Sequence, residues 1–153
     1  MSLLLIVSHT PSKKTRKLTD AVARGAAAAD SENLVTRTQS PFDTSPDDVR
    51  AASGIILGTT ENFGYMSGAM KDFFDRIYYP CLKKTEALPY ALFVRAGNDG
   101  SGAVSSIQRI VTGLKWKEVQ PPLICCGAWQ DEFEEQAEEL GMTLAAGLDA
   151  GIF

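Results

Sequence analysis

The chain has 153 residues, the size of one ordinary domain, and 44% of them are hydrophobic and 22% charged. Its formal net charge of −4 argues against a nucleic-acid-binding surface. No hydrophobic run approaches the roughly 20 residues that a membrane-spanning helix needs. Three cysteines and a single histidine make no plausible zinc site. We therefore expect one cytoplasmic domain, residues 1–153, with free buried thiols and no metal.

Strand-like and helix-like segments alternate along the chain. Short hydrophobic runs predict five strands, over residues 3–8, 33–37, 54–58, 90–95 and 119–127. Hydrophobic residues at helical spacing predict helices over residues 15–29, 47–52, 65–79, 101–114 and 131–152. This alternation is typical of a parallel sheet with helices on both faces.

Ligands of such sheets bind beyond the carboxyl ends of the strands, where the strand order reverses. The loops that follow the first, third and fourth predicted strands are SHTPSKKT, GTTENFGYMS and RAGNDGSG. All three are rich in hydroxyl, amide and glycine residues. We therefore expect the functional site to be built from these three loops.

The first of these loops has the composition of a phosphate site. Ser8 ends the strand, Thr15 begins the helix, and Thr10, Lys13 and Lys14 lie between them. Unpaired amides at a helix N-terminus attract anions, and lysines neutralise a phosphate dianion. From the residues alone, an equally good interpretation is that Thr15 caps the helix and the lysines are solvated. The sequence has neither the GxxxxGK[ST] nor the GxGxxG nucleotide motif.

Two segments make the chain recognisable. SHTPSKKTRKL resembles the first loop of NAD(P)H-dependent FMN reductases. GTTENFGYMSGAMKDFFDR resembles a more specific segment of the same family, and LGMTLAAGLDAGIF is similar to the last helix of flavodoxin-like quinone reductases. The positions of the second segment that fall in register with the family pattern are Gly58, Thr59, Gly64, Ser67, Gly68, Lys71, Asp75 and Arg76.

This resemblance implies a flavodoxin-like three-layer α/β sandwich with a five-stranded parallel sheet in the order 2-1-3-4-5 and FMN at its carboxyl edge. Ser8, Thr10, Lys13, Lys14 and Thr15 would hold the phosphate. The backbone from Thr60 to Gly64 would line the ring edge. The full set of cofactor-binding residues implied beyond the first loop is Thr59, Thr60, Glu61, Asn62, Phe63, Gly64, Ala96, Gly97, Asn98, Asp99 and Gly100, with Asn62 or Phe63 over the ring.

The protein's part in flavin chemistry is to bind and orient the cofactor, so we name no catalytic side chain. Glu61 stands where the family commonly has a neutral residue. If its carboxylate faced the ring, it would disfavour the reduced anion and lower the reduction potential. We expect it to point to solvent instead, as loop glutamates usually do. His9 has no partner in the sequence, and we interpret it as a loop residue.

Three functions are compatible with these observations. The first is an FMN-binding oxidoreductase that takes hydride from NADPH or NADH and reduces a quinone, flavin or similar small acceptor. The second is a flavodoxin-type electron carrier, although such carriers are typically more acidic than −4. The third is a flavin-free domain of the same fold. The resemblance also implies a homodimer or homotetramer, and we expect the helix that ends in DRIYYPCL to form that contact.

Overall fold

A computed structural model describes all residues of the chain, 1–153. It contains seven strands, five α-helices and one short 3₁₀ helix, Pro41–Asp43. The strands are β1 Ser2–Ser8, β2 Leu34–Gln39, β3 Gly54–Asn62, β4 Tyr65–Met66, β5 Pro89–Ala96, β6 Lys117–Glu118 and β7 Leu123–Cys126. The helices are α1 Lys13–Ala27, α2 Pro46–Ala51, α3 Gly68–Cys81, α4 Ser101–Gly113 and α5 Glu132–Asp149. No helix is both long and apolar enough to cross a membrane.

The sheet runs in the order β2-β1-β3-β5, and β6 and β7 both pair with the free edge of β5. These pairings are parallel. The predicted fifth strand, 119–127, is shorter than expected: within it only Leu123–Cys126 (β7) is a strand, and β6 lies just before it at Lys117–Glu118. Pro121 and Pro122 stand between the two. Proline has no amide hydrogen to donate to a ladder, so the edge strand is interrupted there. Counted as one interrupted strand, β6 and β7 complete the predicted flavodoxin-like order.

The other difference from the predicted fold lies after β3. Tyr65 and Met66 were expected in a helix, but they form β4, which pairs antiparallel with Asn62 and Glu61. Between the strands, Phe63 has a φ of 54° and Gly64 a φ of 70°. Two positive φ angles are typical of a type I′ turn, which suits a tight hairpin. The helix therefore starts later, at Gly68, with the Ser67 side chain accepting a hydrogen bond from the amide of Met70.

Hydrophobic side chains cover both faces of the sheet and form two cores. On one face, residues such as Leu5 and Leu57 pack with α2, α3 and α4. On the other face, residues such as Ile6 and Ile56 pack with α1 and α5. Burial on both faces explains why the strands are continuously hydrophobic and not alternating. This is the predicted three-layer sandwich.

The two helices of the second core approach each other closely. A Cβ atom on Gly25 of α1 would lie 1.8 Å from the carbonyl oxygen of Glu138 in α5. A Cβ on Gly141 of α5 would lie 2.0 Å from the carbonyl oxygen of Val22. Only glycine permits backbones to come this near. The packing of α1 holds its first turn, which belongs to the candidate site, in a fixed place against the sheet.

The cysteines are all free, as expected, but not all are buried. Cys81 and Cys125 are buried, whereas Cys126 at the end of β7 is exposed. The expectation of three buried thiols was therefore wrong for Cys126, because β7 is an edge strand whose last residue reaches the surface. No cluster of histidine, cysteine, aspartate or glutamate side chains could hold a metal ion.

Candidate functional site at the carboxyl edge of the sheet

The three loops singled out from the sequence lie at one edge of the sheet. β1, β3 and β5 are successive neighbours in the sheet and run parallel. Ser8 at the end of β1 pairs with Gly58, and Gly58 pairs with Phe93 of β5. The strands therefore end side by side, and the residues that follow them are brought together.

The first loop ends in a capping box at the start of α1. The amide of Thr15 donates to the Ser12 hydroxyl oxygen at 3.2 Å, and the amide of Ser12 donates to the Thr15 hydroxyl oxygen at 3.0 Å. The Thr15 hydroxyl in turn donates to the Ser12 carbonyl at 2.9 Å. From the sequence, Thr15 was expected to begin or cap the helix, and Ser12 was not identified as the cap. The spacing S-x-x-T, a relative of the usual capping box, was the signal for it.

This arrangement leaves a strongly positive helix end. The amides of Lys13 and Lys14, the first two of α1, have no acceptor within the chain. Both lysines are exposed, Arg16 reaches the Thr10 hydroxyl at 3.5 Å, and the first turn contains no acid. Cations at a helix N-terminus are ordinarily unfavourable by about 0.3–1 kcal/mol each. A bound anion would reverse the sign of that interaction.

Ser8 is not oriented as the resemblance implied. It is buried, and its hydroxyl lies 2.8 Å from the hydroxyl of Thr19. Because Thr19 uses its own proton on the Thr15 carbonyl at 3.1 Å, Ser8 must be the donor between the two hydroxyls. The Ser8 proton is thus directed into the protein and away from a phosphate. Next to it, partial burial lowers the pKa of His9, so its imidazole is neutral at pH 7.

The second loop is a rigid hairpin with an exposed tip. The Thr59 hydroxyl accepts a hydrogen bond from the Ser67 amide at 3.0 Å and donates to the Thr60 carbonyl at 2.8 Å. The Thr60 hydroxyl donates to the Asn62 side-chain oxygen at 3.1 Å. At the tip, Phe63 is fully exposed and open space surrounds the position where Gly64 lacks a side chain. A flat ligand could approach the backbone here.

Glu61 differs from what was expected. Its side chain is half-buried, and one carboxylate oxygen lies 3.5 Å from the amide nitrogen of Ala103, in the first turn of α4. The expectation that it points to solvent was wrong, because a helix N-terminus offers a carboxylate both an unpaired amide and the positive end of the helix dipole.

The third loop joins β5 to α4. Ala96 is buried, whereas Gly97, Asn98 and Asp99 are exposed. Gly100 has a φ of 75° and is held against Ile124, so a side chain could not be placed there without strain. The Asp99 carboxylate accepts hydrogen bonds from the Ser101 amide at 3.0 Å and hydroxyl at 2.9 Å, which lowers the pKa of Asp99.

Arg95 is a residue of this region that the sequence did not predict. Its guanidinium donates to the carbonyl oxygens of Ala96, Cys125 and Gly127 at 2.8–3.0 Å. It also lies 5.8 Å from the ring centre of Trp129, with Lys17 of α1 at 5.9 Å from the same ring. Arg95 thereby ties the loop after β7 to the candidate site. One arginine inside a hydrophobic strand was the available signal.

A sequence model of the family described as "NADPH-dependent FMN reductase" matches residues 1–130. The chain belongs to this family. The family is one of flavodoxin-like, FMN-binding oxidoreductases, and FMN is accordingly the cofactor that membership supports.

Individual relatives share only a low sequence identity with this chain. A protein named flavodoxin from Aquifex aeolicus (strain VF5) is 27% identical over 114 residues, which make up 74% of this chain and 60% of that protein. The structure of an archaeal flavodoxin matches with a TM-score of 0.81 at 19% identity, covering 95% of this chain and 98% of that one. A WrbA-like flavodoxin from Agrobacterium tumefaciens matches with a TM-score of 0.76 at 20% identity, covering 98% and 99%. These structures establish the flavodoxin-like fold.

The residues at this edge of the sheet fit FMN. The free amides and side chains of Lys13 and Lys14 suit a phosphate dianion. The open backbone at Gly64 and the exposed Phe63 ring suit a flat heterocycle. The two features lie on adjacent strands, β1 and β3, as a molecule with a phosphate at one end and a ring at the other requires.

Proposed function

We propose that this protein is an FMN-dependent oxidoreductase that takes a hydride from NADPH or NADH and reduces a quinone, a flavin or a similar small acceptor. The observation that carries the proposal is the pairing, on adjacent strands, of an anion-attracting start of α1 with a rigid hairpin whose tip is open. Membership of the NADPH-dependent FMN reductase family over residues 1–130 supports the same conclusion.

The start of α1 would hold the phosphate. The amides of Lys13 and Lys14 would donate to it, their ammonium groups would neutralise it, and Thr10 would add a hydroxyl. Thr15 acts through the cap that fixes this turn, and its hydroxyl could reach a phosphate only by leaving Ser12.

The second and third loops would hold the flat ring. The hairpin backbone from Thr60 to Gly64 would line the edge of the ring, and Phe63 or Asn62 would cover part of its face. The segment Ala96–Gly100 would close the opposite side. Bound FMN would supply the chemistry of hydride and electron transfer. The protein would bind and orient the cofactor and exclude water from it.

A second subunit would complete the protein as a homodimer or homotetramer. A groove of about 380 Å³ between α3 and α4 supports the choice of α3 for this contact. Tyr79, which is 79% exposed, lies at the rim of the groove together with Tyr78 and Arg109. Exposed tyrosine and arginine side chains are enriched at protein interfaces.

A flavodoxin-type electron carrier is the second candidate. The similarity to the Aquifex aeolicus protein named flavodoxin favours it. The mild net charge of −4 favours the reductase instead, because electron carriers of this type are typically much more acidic.

Anaerobic reduction separates the candidates. The purified protein is loaded with FMN, freed of excess cofactor, and titrated with NADPH and NADH while the visible spectrum is recorded. Bleaching by a nicotinamide within seconds, followed by return of the colour on adding a quinone, is expected. Bleaching by dithionite alone would identify the carrier. A protein that stays colourless after incubation with FMN would be a flavin-free domain, and the proposal would be wrong.

A further inference from the structure

Helix α4 starts without a side-chain cap of its own. Its N-cap residue is Gly100, which has no side chain to offer. The amide of Ser101 is bonded to the Asp99 carboxylate in the loop just before the helix. The amide of Ala103 instead faces the carboxylate of Glu61, 42 residues earlier in the chain. The β3–β4 hairpin thus supplies part of the cap of α4.

Two further contacts join the hairpin to the same helix. The Met66 amide donates to the Ser106 hydroxyl at 3.2 Å, and that hydroxyl donates to the Ala103 carbonyl at 2.9 Å. The Gly64 carbonyl rests on Gly102, where an added Cβ would lie 1.9 Å from the oxygen. The hairpin is therefore held on the first two turns of α4 at its base, its tip and one strand.

We propose that Glu61 is the positioning residue of this hairpin: by bonding to the first turn of α4, it fixes the Thr60–Gly64 backbone at the place where the flavin ring binds. The inference rests on the proposed function. The structure assigns the Glu61 carboxylate to the α4 N-terminus, where the helix dipole offsets its charge. Its contribution to binding is then geometric, since a hairpin that is already fixed loses less conformational freedom when the ring binds.

Two variants at Glu61 separate the effect of its hydrogen bond on the position of the hairpin from the effect of its negative charge. Glu61→Ala removes the acceptor, whereas Glu61→Gln keeps an acceptor oxygen and removes the charge. We expect Glu61→Ala to weaken FMN binding about tenfold, the loss typical of a hydrogen bond to a charged group. Riboflavin, which has no phosphate, should lose affinity by the same factor. Glu61→Gln should restore both affinities to within about twofold of the original protein. Equal losses in the two variants, or no loss in Glu61→Ala, would overturn the proposal.

A steric variant tests the same contact without removing a hydrogen bond. Gly102→Ala should push the Gly64 carbonyl away from α4, although alanine is the better helix former by about 1 kcal/mol. Flavin affinity should fall about tenfold. The thermal unfolding midpoint of the flavin-free protein should fall by less than a loss of stability of the same free energy would cause. Gly68→Ala is the matched control, because it adds a methyl group to the first turn of α3 where open space surrounds it.

Hydrogen exchange on the flavin-free protein keeps this test independent of the proposed function. The amides of Ala103 and Met66 should be protected in the original protein and should exchange faster in Glu61→Ala and in Ser106→Ala respectively. Ser105→Ala, in the same helix and exposed, is the control. If the original protein bound neither FMN nor riboflavin, the proposed function would fail, and unchanged exchange in the variants would separately overturn the role of Glu61.

Discussion

The hydroxyl of Ser8, at the end of β1, lies 2.8 Å from the hydroxyl of Thr19 inside α1 and donates its proton there. A serine at the end of the first strand thus joins that strand to the helix which carries the proposed phosphate site. We expect Ser8→Ala to lower the free energy of unfolding by about 1 kcal/mol, the net worth of one buried hydrogen bond. FMN affinity should change less than about twofold, because the lost proton does not reach the ligand.

Denaturant unfolding and fluorescence titration with FMN measure the two effects. Thr10→Ala is the comparison, since its hydroxyl lies in the loop and is expected to weaken FMN binding with little change in stability. A Ser8→Ala protein of normal stability that had lost FMN affinity tenfold would show that Ser8 turns toward the phosphate in the bound state.

The lysines at the start of α1 give the second prediction. Changing Lys13 and Lys14 together to glutamine should weaken FMN binding by about tenfold or more, because two charge-assisted contacts to the phosphate are lost. Riboflavin affinity should stay constant. The salt dependence of FMN binding should also become shallower, since the removed contacts are the ones that salt screens.

Parallel titrations of the two ligands at low and high salt provide the measurement. The matched control changes Lys83 and Lys84 to glutamine. These two lysines are adjacent and exposed, and they follow the C-terminal end of α3, away from the candidate site. An equal loss of FMN and riboflavin affinity in the Lys13 and Lys14 variant would argue against a phosphate at this place.

The contact between Gly141 and the Val22 carbonyl gives the third prediction. Gly141→Ala should lower the free energy of unfolding by about 1–3 kcal/mol, because the added methyl group would force α1 and α5 apart. Calorimetry or denaturant unfolding measures the change, with Gly68→Ala as the control of equal chemistry in open space. A more stable Gly141→Ala protein would mean that the helices separate at no cost and that helix propensity decides the outcome.

The fourth prediction concerns alkaline pH. Burial raises the pKa of Cys125 to about 11 from an ordinary 9.0. Between these values the unfolded chain has lost the thiol proton while the folded chain keeps it, so the folded state binds more protons and its stability falls as pH rises. Burial and the hydrogen bond to Glu118 also raise the pKa of Tyr90, which adds to the decline at higher pH.

Cys125→Ala should therefore lose less stability than the original protein between about pH 9 and pH 11. Denaturant midpoints recorded across this range test the slope. Cys126→Ala, which alters an exposed thiol that contributes less than burial to the raised pKa of Cys125, should change the slope less than Cys125→Ala does. Identical slopes in the original protein and Cys125→Ala would contradict the assigned role of this thiol.

The sheet could be predicted from the sequence because its strands are hydrophobic on both faces and each is followed by a helical pattern. The strand order was predicted from the family resemblance, and the structure confirms it. The hairpin could not be predicted from periodicity, since Tyr65 and Met66 also fit the spacing of the hydrophobic residues in α3. The positive φ of Phe63 could not be predicted either, because phenylalanine rarely adopts one and the spacing of hydrophobic residues does not indicate it.

The site was predictable at the level of loops and not of individual side chains. Which loops meet depends only on strand order, which the sequence could supply. Where Ser8 and Glu61 point depends on partners far along the chain, Thr19 in one case and Ala103 in the other. Arg95 was not predicted for the same reason, because two of its three carbonyl partners, Cys125 and Gly127, become neighbours only when β5 and β7 pair.

The interruption of the outer strand at Pro121 and Pro122 limits how copies of this protein can assemble. A neighbouring molecule could add a strand along at most the four residues of β7 before meeting a stretch unable to donate hydrogen bonds. Continuous sheets running from one molecule into the next are thus disfavoured on this side. At this edge, association between molecules would therefore have to use the helical layers, and β2 is left as the one uninterrupted edge of the sheet.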